Sequence, residues 1–263
     1  MNFISSIGAR PDAGRDPHRG RLHLSAPICE HSLVKASALM LLADMTSGIA
    51  ADLDDPEHWH FTTDCSLRLN AVAPTGHVEA ELRPLRRGRT TWVDEVDFFD
   101  GAGTNLGLCQ IGFSVSPLLP DGPPKPDTSF VVEQLFQMDF SPLAAPLAPA
   151  AGIEVLDAAG GVLRLEIRDE LRQPAGFLQG AIVTLLGEQA AIVRAETDGR
   201  PHVVVDMDMR FLVGAMVGPM QTTARPVGAP GADGGRAMAV ELVDVGRDRV
   251  TTTFLVRTRP VPR

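Results

Sequence analysis

The chain has 263 residues and a mass of 28.1 kDa, of which 44% are hydrophobic and 22% are charged. This composition is ordinary for a globular protein and excludes a disordered, collagenous or fibrous chain. The net charge of −9 and the pI near 5.2 argue against a nucleic-acid partner, which needs a basic face, and against an acidic membrane surface. The three cysteines form no C-x-x-C pair, which is typical of a reducing compartment. Because residues 1–21 also lack a signal-peptide pattern, we expect a cytoplasmic protein.

The first predicted unit spans residues 1–116 and contains one long helix. A short strand over 21–24 comes first, and a helix that is apolar on nearly all sides follows over 37–52. Strands are then predicted over 60–68, 78–85, 91–99 and 106–115. A helix without a polar face has to be covered by its neighbours, so we expect the strands to wrap around it.

A proline-rich segment separates this unit from a second one. Five prolines fall within the ten residues 117–126, which predicts a stiff linker over 117–130. The second unit, residues 131–263, repeats the same order of elements. It has a strand over 162–167, a helix over 180–197, and strands over 202–211, 220–227, 237–245 and 251–257. The sequence therefore predicts two domains of similar architecture.

Matched residues indicate that the two units are copies of one another. Residues 35–44 and 179–188 are apolar runs that end in an acidic residue, Asp44 and Glu188, at a spacing of 144. Residues 60–68 and 202–210 both read His, three residues, Asp, three residues, Arg, at a spacing of 142. Gly76 and Gly218 keep the second spacing. Several matches in the same order indicate a tandem duplication.

These residues resemble the hotdog-fold acyl-CoA thioesterases in their tandem form, the double hotdog. The nearest style of match is the phenylacetate-pathway and 4-hydroxybenzoyl-CoA type. The family pattern is an amide residue, five residues, His-Gly-Gly or a variant, and an acidic residue nine positions after the His. The second copy places Gln173, Gln179-Gly180-Ala181 and Glu188 in this pattern. The first copy retains Asp44, with Cys29 and Lys35-Ala36-Ser37 at the other positions.

The resemblance implies an α+β double hotdog, with two antiparallel sheets that each wrap around one long central helix. It also implies composite sites at the seam between the copies, where one copy supplies a carboxylate and the other supplies an amide side chain and a helix N-terminus. A free N–H at a helix N-terminus stabilises the negative charge that develops on a thioester carbonyl oxygen. Glycine at that position lets the acyl group approach the backbone. The carboxylate then acts as a general base toward water or as a nucleophile.

The two implied seams differ in what they contain. The first combines Asp44, Thr62, Gln173 and the Gly180 N–H, and we predict it to be the working site. By strict strand alternation, Thr62 is expected to share a face with three polar residues: Asp64, Ser66 and Arg68. The second seam combines Glu188 with three substituted positions: Cys29, Ala36 and Val204. Glu188 nevertheless stays a candidate catalytic residue, because some relatives use Glu there.

Other predictions concern ligands, partners and rival functions. A basic loop predicts a site for the phosphates of coenzyme A, through Arg86, Arg87 and Arg89. No metal or cofactor is expected, and a homo-oligomer is consistent with exposed sheet edges. A hotdog hydratase is disfavoured because Ile49 and Val193 stand where its His is expected. The rival from another class is a non-catalytic acyl-CoA-binding or scaffold protein, because the signature His is absent from both copies.

Overall fold

The computed structural model describes residues 3–12, 14–118, 121–122, 124–137 and 140–261. The elements up to the linker are β1 (Ala9–Pro11), β2 (Arg19–His23), β3 (Cys29–Glu30), β4 (Leu33–Val34), α1 (Ala36–Asp54), β5 (His58–Leu69), β6 (His77–Arg87), β7 (Thr91–Asp100) and β8 (Asn105–Pro117). Those after it are α2 (Thr128–Gln137), α3 (Leu147–Ala151), β9 (Glu154–Asp157), β10 (Val162–Leu165), α4 (Gly180–Ala195), β11 (His202–Phe211), β12 (Met220–Pro226), β13 (Arg236–Asp244) and β14 (Arg249–Pro260).

Strands β5 and β11 join the two halves of the chain into one sheet. Within the described residues this sheet has 12 strands, in the order β1-β2-β6-β7-β8-β5-β11-β14-β13-β12-β10-β9. The expectation of two sheets is therefore wrong in this respect, because β5 and β11 pair directly in antiparallel register from Asp64 and Arg210 to Arg68 and Asp206. Read outward from this pair, both halves have the same strand order.

Each long helix packs against the strands of its own half. Helix α1 contacts β1, β2 and β5–β8, whereas α4 contacts β10–β14, and the two helices also contact each other. Helix α1 is long and apolar enough to cross a bilayer, and 67% of its most apolar window is buried inside the protein. That burial is the environment of a core helix. Helix α4 ends where Glu196–Asp198 tighten into a 3₁₀ turn and Gly199 adopts φ +81°.

The segment between the halves contains a helix that the proline pattern did not predict. Strand β8 ends at Pro117, and α2 runs across the predicted boundary between residues 130 and 131 and packs against α1 and β1. Lys125 contacts the first half through its ammonium group, which lies 2.8 Å from Asp52 Oδ1. Leu119, Pro120 and Pro123 of the predicted linker lie outside the described residues.

Candidate active site

Asp44 and Thr62 form a hydrogen-bonded pair between α1 and β5. The Thr62 hydroxyl donates to Asp44 Oδ1 at 2.7 Å. Asp44 is half-buried in the middle of a helix whose neighbouring residues are apolar. Burial raises the pKa of Asp44, the bond from Thr62 opposes this rise, and the charge of Asp52 adds to it. A carboxyl with such a perturbed pKa is the kind of group that active sites use as a base or nucleophile.

A β-bulge in β5 turns the Thr62 side chain toward α1. The register of β5 with β8 shifts between Thr62 and Asp64, so two residues there oppose one on the partner strand. Thr62 therefore lies on the same face as the buried Cys65, and the predicted shared face with Asp64, Ser66 and Arg68 is wrong. Strict alternation fails because the bulge adds Thr63 between Thr62 and Cys65, the two residues that face the helix side of the sheet.

The N-terminus of α4 faces Asp44 across the boundary between the halves. A methyl group built on Gly180 would lie 3.8 Å from Asp44 Oδ2 and 3.4 Å from Met40 Cε. The Gly180 N–H has no acceptor among the described residues, whereas the next N–H, that of Ala181, donates to Gln179 Oε1 at 2.5 Å. An open donor at the positive end of a helix dipole is thus placed beside the carboxylate.

Gln173 lies in the turn before α4, and its hydrogen bonds stay within that turn. Its Oε1 accepts from the Ala175 N–H at 2.5 Å, and its backbone N–H donates to the Phe177 carbonyl at 2.8 Å. The structure therefore brings Asp44, Thr62 and Gly180 together, and it holds the Gln173 carboxamide in local contacts instead. The Gln173 Nε2 group, which is the donor that a carbonyl oxygen would need, has no acceptor among the described residues.

Aromatic side chains next to this site were not predicted from the sequence. The Phe211 ring lies 3.8 Å from the position of a Gly180 Cβ. Phe61, which precedes Thr62, stacks with Trp59 at 5.6 Å and meets Phe177 edge to face at 6.0 Å. All four rings are only partly buried. The sequence does place aromatic residues beside three of the four segments that were compared between the halves. It does not show that these rings come together, because their convergence depends on how the two halves pack.

The second seam is arranged differently, because Glu188 occupies the N-terminus of α1. Glu188 Oε1 accepts from the Ala36 N–H at 2.8 Å, and Oε2 accepts from the Ser37 N–H at 3.1 Å and the Ser37 hydroxyl at 2.6 Å. Val204, 142 positions after Thr62, supplies no hydroxyl. A cavity of about 30 Å³ adjoins Glu188 and holds at most a few water molecules. The first backbone N–H of α4, at Gly180, is open, whereas the equivalent N–H of α1, at Ala36, is already bonded to Glu188.

The basic loop lies at the same end of the sheet as Thr62. Phe113 of β8 pairs with Thr62 on one side and with Trp92 on the other, so Trp92, just after the loop, is about 10 Å from Thr62. Arg87 forms an ion pair with the buried Asp94 and stacks on Trp92 at 4.5 Å. Arg86 and Arg89 are exposed. Of the three predicted phosphate ligands, Arg87 thus has a structural partner already.

Metal ligation finds no support in the described part of the chain. No three side chains among its His, Cys, Asp and Glu residues converge as a metal ion requires. The arrangement at Asp44 instead supplies a carboxylate, a hydroxyl and an open backbone donor. Together these groups can activate water and stabilise an oxyanion.

Comparison with known proteins identifies the fold. No protein-family model matches the sequence, and no curated protein sequence does. Among solved structures, the TesB protein of Mycobacterium avium subsp. paratuberculosis is similar over 99% of this chain and 98% of its own, with 12% identity and a TM-score of 0.64. The 12:0-ACP thioesterase from Umbellularia californica matches over 92% and 94%, with 10% identity and a TM-score of 0.62. A conserved protein of unknown function with a hotdog fold from Alicyclobacillus acidocaldarius matches over 100% and 99%, with 14% identity and a TM-score of 0.63. This chain therefore has the hotdog fold.

Proposed function

We propose that this protein is a thioester hydrolase that cleaves acyl-CoA to a free acid and coenzyme A. The observation that supports it is the hydrogen-bonded pair of Asp44 and Thr62, which faces the open Gly180 N–H across the two halves. Two of the similar solved structures are named as a TesB protein and a thioesterase, which agrees with this reaction class. We also propose that the chain is a tandem of two hotdog units with one composite site.

In this mechanism the thioester carbonyl oxygen accepts a hydrogen bond from the Gly180 N–H. Asp44 takes a proton from a water molecule, and the water oxygen attacks the carbonyl carbon. The oxyanion of the tetrahedral intermediate is stabilised by Gly180 and the dipole of α4. The intermediate then collapses, the C–S bond breaks, and the leaving thiolate takes up the proton that Asp44 removed from water, which regenerates the carboxylate.

Direct attack by Asp44 is the alternative, and it would form a mixed anhydride that water then hydrolyses. The bond from Thr62 occupies Oδ1 and leaves Oδ2 directed toward Gly180, a geometry compatible with either role. After a single turnover in H₂¹⁸O, label in the Asp44 carboxylate with an unlabelled acid identifies the nucleophilic route, with water attacking the Asp44 carbonyl of the anhydride. Label in the acid alone is expected for the general-base route and also for water attack at the acyl carbonyl of the anhydride. Transient acylation of Asp44, detected by rapid-quench mass spectrometry, separates these two cases.

Coenzyme A is the proposed carrier because a basic loop lies near the site on an acidic protein. Arg86 and Arg89 are the proposed phosphate ligands, and Arg87 supports the loop through Asp94. The same thioester chemistry serves an acyl carrier protein, which lacks the adenosine phosphates. We place the reaction in the cytoplasm, and a homo-oligomer formed through sheet edges remains part of the proposal.

The test is thioester hydrolysis over a panel of short, long and aromatic acyl-CoAs, with detection of the released thiol. Asp44→Ala should abolish turnover while binding of a non-hydrolysable thioether analogue persists. Asp54→Ala is a matched control, because Asp54 is an exposed carboxylate on the same helix. Folded wild-type protein that binds the analogue but hydrolyses neither acyl-CoA nor an acylated carrier protein would favour the non-catalytic binding function.

A further inference from the structure

The two long helices meet at two equivalent places. Glu188 of α4 contacts Ala36 at the start of α1, and Asp44 of α1 faces Gly180 at the start of α4. In each helix the acidic residue lies eight positions after the first residue, which corresponds to about 12 Å along the axis. The helices are therefore antiparallel, and the two contacts are separated by roughly this distance.

The Glu188 contact is buried and fully bonded. Glu188 is 2% exposed, and its two oxygens accept three hydrogen bonds from Ala36 and Ser37. Helix α1 has no cap of its own, because the Lys35 side chain makes no bond to the first turn. The carboxylate of the other half thus satisfies donors that would otherwise be orphaned, and it lies at the positive end of the α1 dipole.

Charge in this region is compensated locally. Burial alone lowers the pKa of Lys35, but the carboxylates of Glu188 and Glu30 raise it overall, so its ammonium group stays charged. That ammonium group forms an ion pair with Glu30. A charged, hydrogen-bonded contact has one favourable geometry, unlike an apolar contact, which tolerates sliding. The three bonds of Glu188 therefore favour one axial position of the α1 N-terminus against α4.

We propose that Glu188 is a positioning residue for the reaction at Asp44, an inference that rests on the proposed function. Asp44 and the Gly180 N–H belong to different helices, and the distance between them depends on how α1 lies against α4. The Glu188 contact is the buried polar contact that sets this arrangement from two helical turns away. Its loss lets α1 shift, and a shift of about 1 Å in a reacting group lowers turnover by as much as 10²-fold.

A catalytic role for Glu188 in its own seam makes a different prediction. Such a base needs an open backbone donor for the oxyanion, and Glu188 itself occupies that donor. If Glu188 served its own seam, Asp44→Ala would retain part of the activity. If Glu188 positions α1, Asp44→Ala alone removes all turnover.

The experiment compares Glu188→Ala, Glu188→Gln and a matched control, Thr222→Val. Thr222 is also fully buried with two hydrogen bonds, to Leu163 and Gly161, but it lies on β12, away from both helix N-termini. Glu188→Ala should lower kcat by about 10- to 100-fold with KM within about twofold. Glu188→Gln keeps an acceptor for Ala36 and should recover at least tenfold. Thr222→Val should lose stability and keep kcat.

Hydrogen exchange supplies a readout that is independent of activity. The amides of Ala36 and Ser37 should exchange faster in Glu188→Ala, whereas Thr222→Val should leave both protected and Glu188→Gln should keep the Ala36 amide protected. Should the alanine variant not fold, the glutamine variant and Ser37→Ala provide the same comparison. An active wild type with unchanged kcat in the Glu188 variants overturns this inference alone. A wild type without hydrolysis overturns the proposed function and this inference together.

Discussion

Replacing Thr62 by valine tests the chemistry of the candidate site most directly. Valine has nearly the same shape, and it already stands at the matched position in the second half, Val204. The substitution removes the 2.7 Å bond to Asp44 Oδ1 and leaves the β-bulge intact. A hydrogen bond to a charged group contributes about 1.5–3 kcal/mol. Removing it should raise the pKa of Asp44 further, since that bond is what opposes the effect of burial.

The assay is the pH dependence of kcat/KM for thioester hydrolysis. Because the proposed mechanism uses Asp44 in its ionised form, activity should rise with pH through the pKa of Asp44. Thr62→Val should move this acid limb of the pH profile to higher pH. At a fixed pH on the limb, the loss should be roughly 10- to 150-fold, and it should shrink as the pH is raised. Thr62→Ser restores the donor and should restore the wild-type profile. A loss of equal size at every pH would refute the reasoning.

Three further substitutions test other groups at the site. Gly180→Ala adds a methyl group 3.8 Å from Asp44 Oδ2, so urea denaturation should show unchanged or slightly higher stability while kcat/KM falls tenfold or more. Asp44→Asn should abolish hydrolysis yet raise the free energy of unfolding at pH 7 by about 0.5–2 kcal/mol, because burial disfavours the ionised carboxylate. This gain should shrink as the pH falls through the raised pKa of Asp44 and should disappear below 3.8, where the carboxyl is neutral in both the folded and the unfolded state. Arg86→Ala with Arg89→Ala should raise KM for acyl-CoA several-fold and weaken its salt dependence, whereas Arg164→Ala, which breaks an ion pair with Glu166 outside the loop, should not.

The local elements were predictable because their signals are local. The helix predicted over 180–197 begins at Gly180 and ends as an α-helix at Ala195, and the one predicted over 37–52 lies within Ala36–Asp54. Both are apolar runs long enough to exclude a strand. The strands after them alternate in hydrophobicity. Helix α2 was not predicted, because the prolines before it led to a predicted linker that extends to residue 130, beyond the first residue of the helix, Thr128.

The joining of the halves was not predictable from periodicity. The pairing of β5 with β11 brings together residues about 140 positions apart, and hydrophobic alternation does not identify a strand's neighbour. The bulges at Thr62–Asp64 and Val204–Asp206 could not be predicted either, because an extra residue leaves the composition of the strand unchanged. The placement of Gln173 depends on a tight turn closed by its own side chain.

The matched positions of Asp44 and Glu188 on the two long helices allow a direct comparison. Asp44 and Glu188 occupy the same helical position, and they differ by one methylene group. The longer side chain reaches the N-terminus of the opposite helix and binds it, whereas the shorter one stops short and bonds to Thr62. The α4 donor consequently stays open, and the α1 donor is closed. Side-chain length, together with the replacement of Thr62 by Val204, thus distinguishes a seam in which the Gly180 N–H is open from one in which Glu188 binds the Ala36 N–H.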